Sequence, residues 1–335
     1  MTSRRLGPFT VPPVGLGCMN LSWAYGPPVP DDVAERVLLG ALDLGVTHFD
    51  TAALYGFGLN ETTVGRVLRP HRAKIVLASK GGMTGEPVGP GGAVQRVIDG
   101  RPEALRRHVE ASLDRLGTDV IDLYYLHRWH KAVPIEDSVG EMARFVAEGK
   151  VRSIGLSEVS AATLRRAHAV HPIAAVQSEY SPWTRNPEIA VLEACQELGV
   201  AFVAFSPVAR GVLTDAPPDI AALDAKDIRR AMPRFEPAAY AANLLLRERF
   251  ATLAREAGCS TSQLAIAWTL AKSPQVVAIP GTTKLEHLRE NVAAGHLTLD
   301  AEVLRRIDTL FDPGAASGGR YNAQAQSEVD TEEFA

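Results

Sequence analysis

Ile75-Val76-Leu77-Ala78-Ser79-Lys80 is an apolar run that ends on a lysine. A second run, Val46-Thr47-His48-Phe49-Asp50, ends on an aspartate, and Tyr55 follows in the loop Thr51-Ala52-Ala53-Leu54-Tyr55-Gly56. A third, Ile121-Asp122-Leu123-Tyr124-Tyr125-Leu126-His127, ends on a histidine. If the three are neighbouring parallel strands, an acid, a phenol, an ammonium and an imidazole meet at one mouth. That placement decides the fold.

Runs of the same kind recur along the chain: Val14 to Cys18, Ser153 to Ser157, Ala174 to Gln177, Ala201 to Phe205 and Val276 to Ile279. Each is rich in Val, Ile or Phe and is bounded by Gly, Pro or polar residues, as strands are. Amphipathic patterns lie between them, over Asp31–Leu44, Arg101–Leu116, Ile135–Glu148, Ala161–Val170, Pro187–Leu198, Asn243–Ala257 and Leu285–Ala294. The first opens on acidic residues and stops before Gly45, and the second carries Pro102 in its first turn; both are terminal signals of helices. Strands alternating with helices predict a parallel sheet covered by helices. Eight strands suit a (β/α)8 TIM barrel, whose catalytic side chains sit at the C-terminal strand ends. A doubly wound open sheet fits less well. Its first βα turn would be Gly15-Leu16-Gly17-Cys18-Met19-Asn20, which lacks the third glycine of a dinucleotide fingerprint.

The expected organisation is one barrel domain over residues 1–313, with residues 1–13 as a small lid at the amino end and 314–335 as a loose C-terminal tail. Gly81 to Gly100, rich in Gly and Pro, reads as a mobile loop over the mouth, and Asp215 to Ala239 as a long polar excursion. Loops of such length are often functional or disordered. The 335 residues carry a net charge of −4, which argues against a nucleic-acid binder with its basic face. No apolar run approaches the roughly 18 residues of a membrane span. Met1 to Pro8 lacks the apolar core of a secretory signal, so the cytoplasm is the expected compartment. Cys18, Cys195 and Cys259 are few and far apart, which suggests neither a disulfide framework nor a zinc site. His127 and His130 are spaced i, i+3 on a loop with no carboxylate or cysteine nearby in sequence, and no metal is expected.

A free tyrosine has a pKa near 10, high for a proton donor at neutral pH. An ammonium beside the phenol stabilises the phenolate and lowers that pKa. A carboxylate beyond the ammonium keeps it charged. The chemistry therefore reads Asp50 to Lys80 to Tyr55, with Tyr55 giving its proton to a carbonyl oxygen and His127 orienting that carbonyl or sharing the proton load. Each residue alone has an ordinary explanation in packing or capping; four on successive strand ends do not.

The run Gly45-Val46-Thr47-His48-Phe49-Asp50-Thr51-Ala52 with Tyr55-Gly56 and Asn60-Glu61 resembles the aldo-keto reductase signature. So do Lys80, Asp122 to His127, and Gly149-Lys150-Val151-Arg152-Ser153-Ile154-Gly155-Leu156-Ser157. Within that superfamily the chain is most similar to the group of perakine reductase, pyridoxal reductases and plant auxin-induced homologues. The marks are Arg165 to Pro172, Gln177-Ser178-Glu179-Tyr180-Ser181 and Pro233-Arg234-Phe235.

The resemblance implies a barrel of aldo-keto reductase type that reduces a small-molecule aldehyde or ketone with NADP(H), the cofactor lying extended across the mouth. It implies that Ser157 and Gln177 hold the nicotinamide carboxamide and that Phe205, at a position commonly Tyr, stacks on the ring. Ser206, Pro207, Val208, Arg210 and Gly211 follow as the pyrophosphate loop. Gly281, Thr282, Lys284, His287, Glu290 and Asn291 match the adenosine end, with Lys284 placed for a 2'-phosphate at a helix N-terminus, where phosphate is favoured. Glu158 replaces a frequent Asn. Trp23, Tyr25 and above all Trp129 are expected to line the carbonyl pocket. Two rivals remain at this stage. Potassium-channel β-subunits resemble the same family and keep the four residues, so a cofactor-sensing regulatory subunit is one. A barrel aldolase or isomerase with Lys80 as a Schiff base is the other. The oligomeric state and the physiological substrate are not legible.

Overall fold

In the strands Val76–Gly81 and Ile121–Leu126 every residue is buried, which is why both read as unbroken apolar runs. The computed structural model describes residues 3–88 and 93–334. Eight strands form one parallel sheet: β1 (Leu16–Gly17), β2 (His48–Asp50), β3 (Val76–Gly81), β4 (Ile121–Leu126), β5 (Val151–Ser157), β6 (Ile173–Glu179), β7 (Ala201–Phe205) and β8 (Val276–Ala278). They pair in sequence order. The sheet closes on itself where Gly15 N–H donates to Ala278 O at 2.8 Å and Ala278 N–H donates to Pro13 O at 2.9 Å. This is the TIM barrel expected from the alternation.

The helices are α1 (Asp31–Asp43), α2 (Leu59–Leu68), α3 (Pro102–Leu116), α4 (Ile135–Ala147), α5 (Ala161–Val170), α6 (Val191–Leu198), α7 (Pro237–Glu256), α8 (Thr261–Ala271), α9 (Leu285–Ala294), α10 (Ala301–Leu310) and α11 (Ala323–Ser327). The terminal signals act as the sequence suggests. Asp31 and Asp32 sit in the first turn of α1, where acidic groups complement the helix dipole. Gly117 closes α3 in the left-handed region at φ 62°. At the foot of the barrel a hairpin, Arg4–Leu6 with Phe9–Val11, inserts Leu6 and Val11 among inward residues such as Val76, Leu123, Tyr125 and Val203.

Several elements differ from expectation. The stretch from Gly81 to Gly100 contains an antiparallel hairpin, Met83–Val88 with Ala93–Ile98, rather than a structureless loop. Within Asp215 to Ala239 lie short 3₁₀ turns at Ile220–Ala222, Ile228–Ala231 and Pro233–Phe235, and α7 starts at Pro237, ahead of Asn243. Helices α2, α8, α10 and α11 are not among the expected ones. Helix α8 is buried along nearly its whole length, so its sequence is apolar on all sides and shows no helical period; its only local marker is the capping box of Ser260 and Gln263.

The tail is not loose. Asp330 Oδ2 accepts from Ser160 N at 3.1 Å and Ser160 Oγ at 2.9 Å, and Glu332 Oε1 accepts from Ala161 N at 2.7 Å. Tail carboxylates thus complete the N-terminus of α5, whose first N–H groups have no partner inside the helix. Lys131 Nζ holds Ser327 O at 2.8 Å and Val329 O at 2.7 Å.

Helices α2 and α3 touch through a glycine. A Cβ on Gly65 would lie 2.5 Å from Leu116 O and 2.6 Å from Leu116 Cα, whereas one on Gly140, inside α4, meets nothing within 4 Å. The same substitution should therefore change stability in opposite directions. Gly140→Ala should stabilise by about 0.5–1 kcal/mol through helix propensity, and Gly65→Ala should destabilise by about 1–3 kcal/mol through overpacking. Urea midpoints of the two variants check this; a stabilised Gly65→Ala would show that α2 and α3 can move apart freely.

Candidate active site

Strand register brings the four chemical residues together. Asp50 ends β2 opposite Ala78 of β3, Lys80 pairs with Tyr125 of β4, and His127 N–H donates to Gly81 O at 2.8 Å just past β4. Tyr55 sits in a 3₁₀ turn whose kink places Gly56 at φ 58° and Phe57 at φ 53°, with Gly58 following at φ 97°. The Lys80 side chain is fully buried. Its Nζ donates to Asp50 Oδ1, to Thr51 O at 2.9 Å and to Tyr55 Oη at 3.1 Å. An ammonium has three donors, and all three are engaged. Gln177 Nε2 donates to the other Asp50 oxygen at 2.8 Å, so the carboxylate is fixed from both sides. The His127 ring stands edge-on to Tyr55, with centroids 5.7 Å apart and planes at 84°.

Burial opposes the charge on Lys80, but Asp50 and Tyr55 outweigh it and hold the pKa above the ordinary lysine value. An amine kept this firmly protonated is a poor nucleophile, which disfavours the Schiff-base reading. Burial also raises the pKa of Tyr55, and here the Lys80 charge does not fully offset it. The sequence expectation of a lowered tyrosine pKa fails because a neighbouring charge is legible in a sequence and desolvation is not. The phenol is a protonated donor at neutral pH. Burial, then Lys80, Arg128 and Arg96, push His127 well below its usual value, so its imidazole is neutral. His127 Nδ1 is buried with no partner among the described residues.

Asp50, Tyr55 and His127 open onto a cavity of about 1000 Å³, and Lys80 is buried outside its lining. Trp23, Leu54 and Met83 form an apolar wall around Tyr55, and Trp23 lies 6.3 Å from the Tyr55 ring. Away from the tetrad the cavity runs past Ser157, Gln177, Phe205, Ser206, Val208, Arg210 and Gly211 to Gly281, Thr282, Lys284, His287, Glu290 and Asn291. Ser206 and Arg210 occupy the left-handed region at φ 50° and 54°, strain of a kind that clusters at ligand-binding loops. Gly281 has no room for a side chain, since a Cβ would sit 2.7 Å from Asn20 Oδ1 and 2.9 Å from Gly17 O. Lys284, 63% exposed at the start of α9, has Glu286 as its nearest carboxylate at 3.9 Å.

Some expected residues stand elsewhere or act differently. Pro207 and Trp129 are not among the lining residues. The Trp129 indole N–H donates to Val133 O at 2.8 Å, and its ring lies under the Arg166 guanidinium. Gln177 lines the cavity, yet its amide N–H is committed to Asp50. Arg210 is buried and paired with Glu179 at 2.7 Å, so its charge is already balanced. Glu158 does not line the cavity; it accepts from Glu179 N at 2.9 Å and pairs with the buried Arg320 of the tail. Tyr25 lines the cavity with the Arg229 guanidinium 4.5 Å from its ring centroid. Sequence reasoning missed Arg96, Arg128, Tyr321 and Asn322, all lining residues. The adjacency of Arg128 to His127 was the one available signal. Cys18, behind Asp50, is buried, and burial followed by the Asp50 charge pushes its thiol pKa far up.

The Aldo/keto reductase family model matches residues 13–312. The chain belongs to that family. It is 41% identical over 320 residues to "Probable aldo-keto reductase 1" of Glycine max, covering 93% of this chain and 89% of that one. It is 37% identical to the aldo-keto reductase yakc [NADP(+)] of Schizosaccharomyces pombe, covering 98% and 96%. Among solved structures, a glycerol dehydrogenase from Gluconobacter oxydans superposes with a TM-score of 0.83 at 29% identity, over 92% of this chain and 94% of that one. An aldo-keto reductase from Klebsiella pneumoniae in complex with NADP and acetate gives 0.72 at 28% identity, over 96% and 99%.

With Tyr55 pushed above about 10 and His127 below about 6.5, neither group changes charge in between. Carbonyl turnover should accordingly keep a level kcat/KM from about pH 7 to about pH 9. A pH profile at saturating cofactor checks this, and a midpoint inside that window that disappears in Tyr55→Phe would reverse the assignment of the tyrosine's protonation state.

Proposed function

We propose that the chain reduces an aldehyde or ketone to an alcohol with NADPH, and that Tyr55 supplies the proton. The observation that carries this is the buried Lys80 ammonium bonded at once to Thr51 O and to the cavity-lining Asp50 and Tyr55 Oη. Family membership and relatives named or crystallised with NADP support the choice of cofactor. Once bound, the cofactor provides hydride for the carbonyl carbon. Residues suited to hold it are Ser157 and Phe205 at the tetrad end, the loop from Ser206 to Gly211, and Gly281, Thr282, Lys284, His287, Glu290 and Asn291 around the start of α9. The Lys284 charge at that helix N-terminus suits a 2'-phosphate.

Tyr55 Oη is the proton donor to the carbonyl oxygen. As charge develops there, that oxygen becomes a much stronger base than a phenolate, so a phenol of raised pKa still transfers its proton downhill. Lys80 steadies the phenolate that results, and Asp50 keeps Lys80 charged and in place. Neutral His127, edge-on to Tyr55, is placed to direct the carbonyl oxygen toward Oη. The apolar wall of Trp23, Leu54 and Met83 keeps water from competing for the proton.

Replacing Tyr55 by Phe should cut carbonyl reduction by about 10²- to 10⁴-fold while NADPH affinity changes little. Steady-state kinetics with fluorescence titration of the cofactor test this, and a loss below about threefold would remove Tyr55 from the proton-donor role. Lys284→Ala should weaken NADPH roughly ten- to hundredfold, the worth of a charge-assisted hydrogen bond, and leave NADH nearly unaffected. Equal losses for both cofactors would exclude a 2'-phosphate contact.

A further inference from the structure

The cavity carries charge unevenly. Its lining carboxylates are Asp50, Asp215 and Glu290. Asp50 is taken by Lys80 and Gln177. Asp215 accepts from Thr261 N at 3.2 Å, and Glu290 accepts from Ser260 Oγ, so both belong to the end of the cavity near the start of α8.

At the tetrad end the balance is positive. Arg128, half-buried, lines the cavity next to His127, and no carboxylate lies within ion-pair distance of it among the described residues. Its Nη1 donates to His127 O at 2.8 Å and to Ser157 Oγ at 3.3 Å. These neutral acceptors fix the guanidinium without neutralising it. Arg128 lies near enough to Tyr55, His127 and Tyr321 for its charge to act on all three. Arg96 reaches the same end from the hairpin strand Ala93–Ile98, and its one carboxylate partner among the described residues is Glu328 at 2.6 Å. Trp23, Met83 and Tyr321 line the cavity as well. They can pack against a small carbon frame but cannot balance a charge.

We infer that the preferred substrate is an oxo acid, a small aldehyde or ketone bearing a carboxylate that Arg128 binds, with Arg96 assisting. This rests on the carbonyl-reductase reading above and names the substrate class of that site. The carboxylate completes the unbalanced guanidinium, and a planar guanidinium grips a carboxylate through two parallel hydrogen bonds. Held there beside His127, the substrate has its carbonyl within reach of Tyr55. The reaction balances as for any carbonyl reduction: hydride to carbon, the Tyr55 proton to oxygen, and the carboxylate unchanged.

The experiment compares kcat/KM, with NADPH, for 4-formylbenzoate and its methyl ester, which removes the charge and keeps an electron-withdrawing para group. The pair 4-oxobutanoate and butanal repeats the comparison on a flexible frame. The native protein should favour each acid over its neutral partner by at least about tenfold. In Arg128→Gln that ratio should fall roughly ten- to hundredfold, the scale of a charge-assisted hydrogen bond, mostly through KM. Arg128→Lys should restore part of it, and Arg96→Gln should lower it less, because Glu328 already offsets Arg96. Circular dichroism and NADPH titration accompany each variant. A native ratio near one, with the neutral aldehydes still reduced, would overturn the oxo-acid assignment and leave the carbonyl-reductase reading standing. An unchanged ratio in Arg128→Gln together with weakened NADPH would overturn it too, by making Arg128 a cofactor ligand. No turnover of any aldehyde by the native protein would instead sink the underlying reading.

Discussion

A lysine ammonium with no exposure to water is costly unless its charge and all its donors are met. Lys80 meets that condition with one carboxylate, one backbone carbonyl and one phenol. Much of the mouth follows from it. Thr51 O must face inward, which sets the direction in which the chain leaves β2. Tyr55 must return to within hydrogen-bond reach, which calls for a tight turn and for Gly56 and Gly58 in the left-handed region. Asp50 must not rotate away, and Gln177 from the opposite side of the barrel prevents it. The barrel is thus braced across its diameter by a chain of polar contacts from β3 through β2 to β6. Removing any one member would leave a buried group unsatisfied, so position and chemistry are specified together.

The parts legible in the sequence are those whose physics is local. Strands β3 and β4 are buried on both faces and read as continuous apolar runs, and the residues at their ends announced the site. Caps such as Gly117 and acidic first turns such as that of α1 read correctly for the same reason. What stayed hidden depends on distant partners. Asp330 and Glu332 complete the first turn of α5 from the far end of the chain, and no local pattern in the tail predicts it. The hairpin after β3 carries Gly85 and Pro87 within a strand, residues that ordinarily argue against one. Helix α8 lacks a polar face, so its period is invisible. The protonation of Tyr55 turned on burial, a property of the finished fold.

Trp129 shows how sequence distance misleads near a site. It lies two residues past His127, yet its indole turns to Val133 and its ring covers a helix rather than the cavity. Beside Trp23 and Leu54, part of the wall comes from segments that interrupt or follow the βα alternation. Met83 and Arg96 belong to the hairpin, and Tyr321 and Asn322 to the tail. Arg96 and Glu328 join the two segments directly, at 2.6 Å. On the proposed reading the reacting groups thus sit at or shortly after strand ends, while part of the cavity wall is built from elements outside the βα alternation. Glu158 and Arg320, buried as a pair, tie the second of those elements back to the end of β5.

A protein that admits carbonyl compounds to its interior is exposed to their reactivity. Aldehydes condense with neutral amines, and unsaturated ones alkylate thiolates. On the proposed reading Lys80 stands beside the reacting carbonyl, and its full set of hydrogen bonds keeps it an ammonium with no lone pair to offer. Cys18, just behind Asp50, is held as a thiol by burial and by the neighbouring negative charge, and the reactive species at a cysteine is the thiolate. The burial that raises the Tyr55 pKa thus also keeps Cys18 unreactive, whereas Lys80 stays an ammonium against its own burial, through Asp50 and Tyr55.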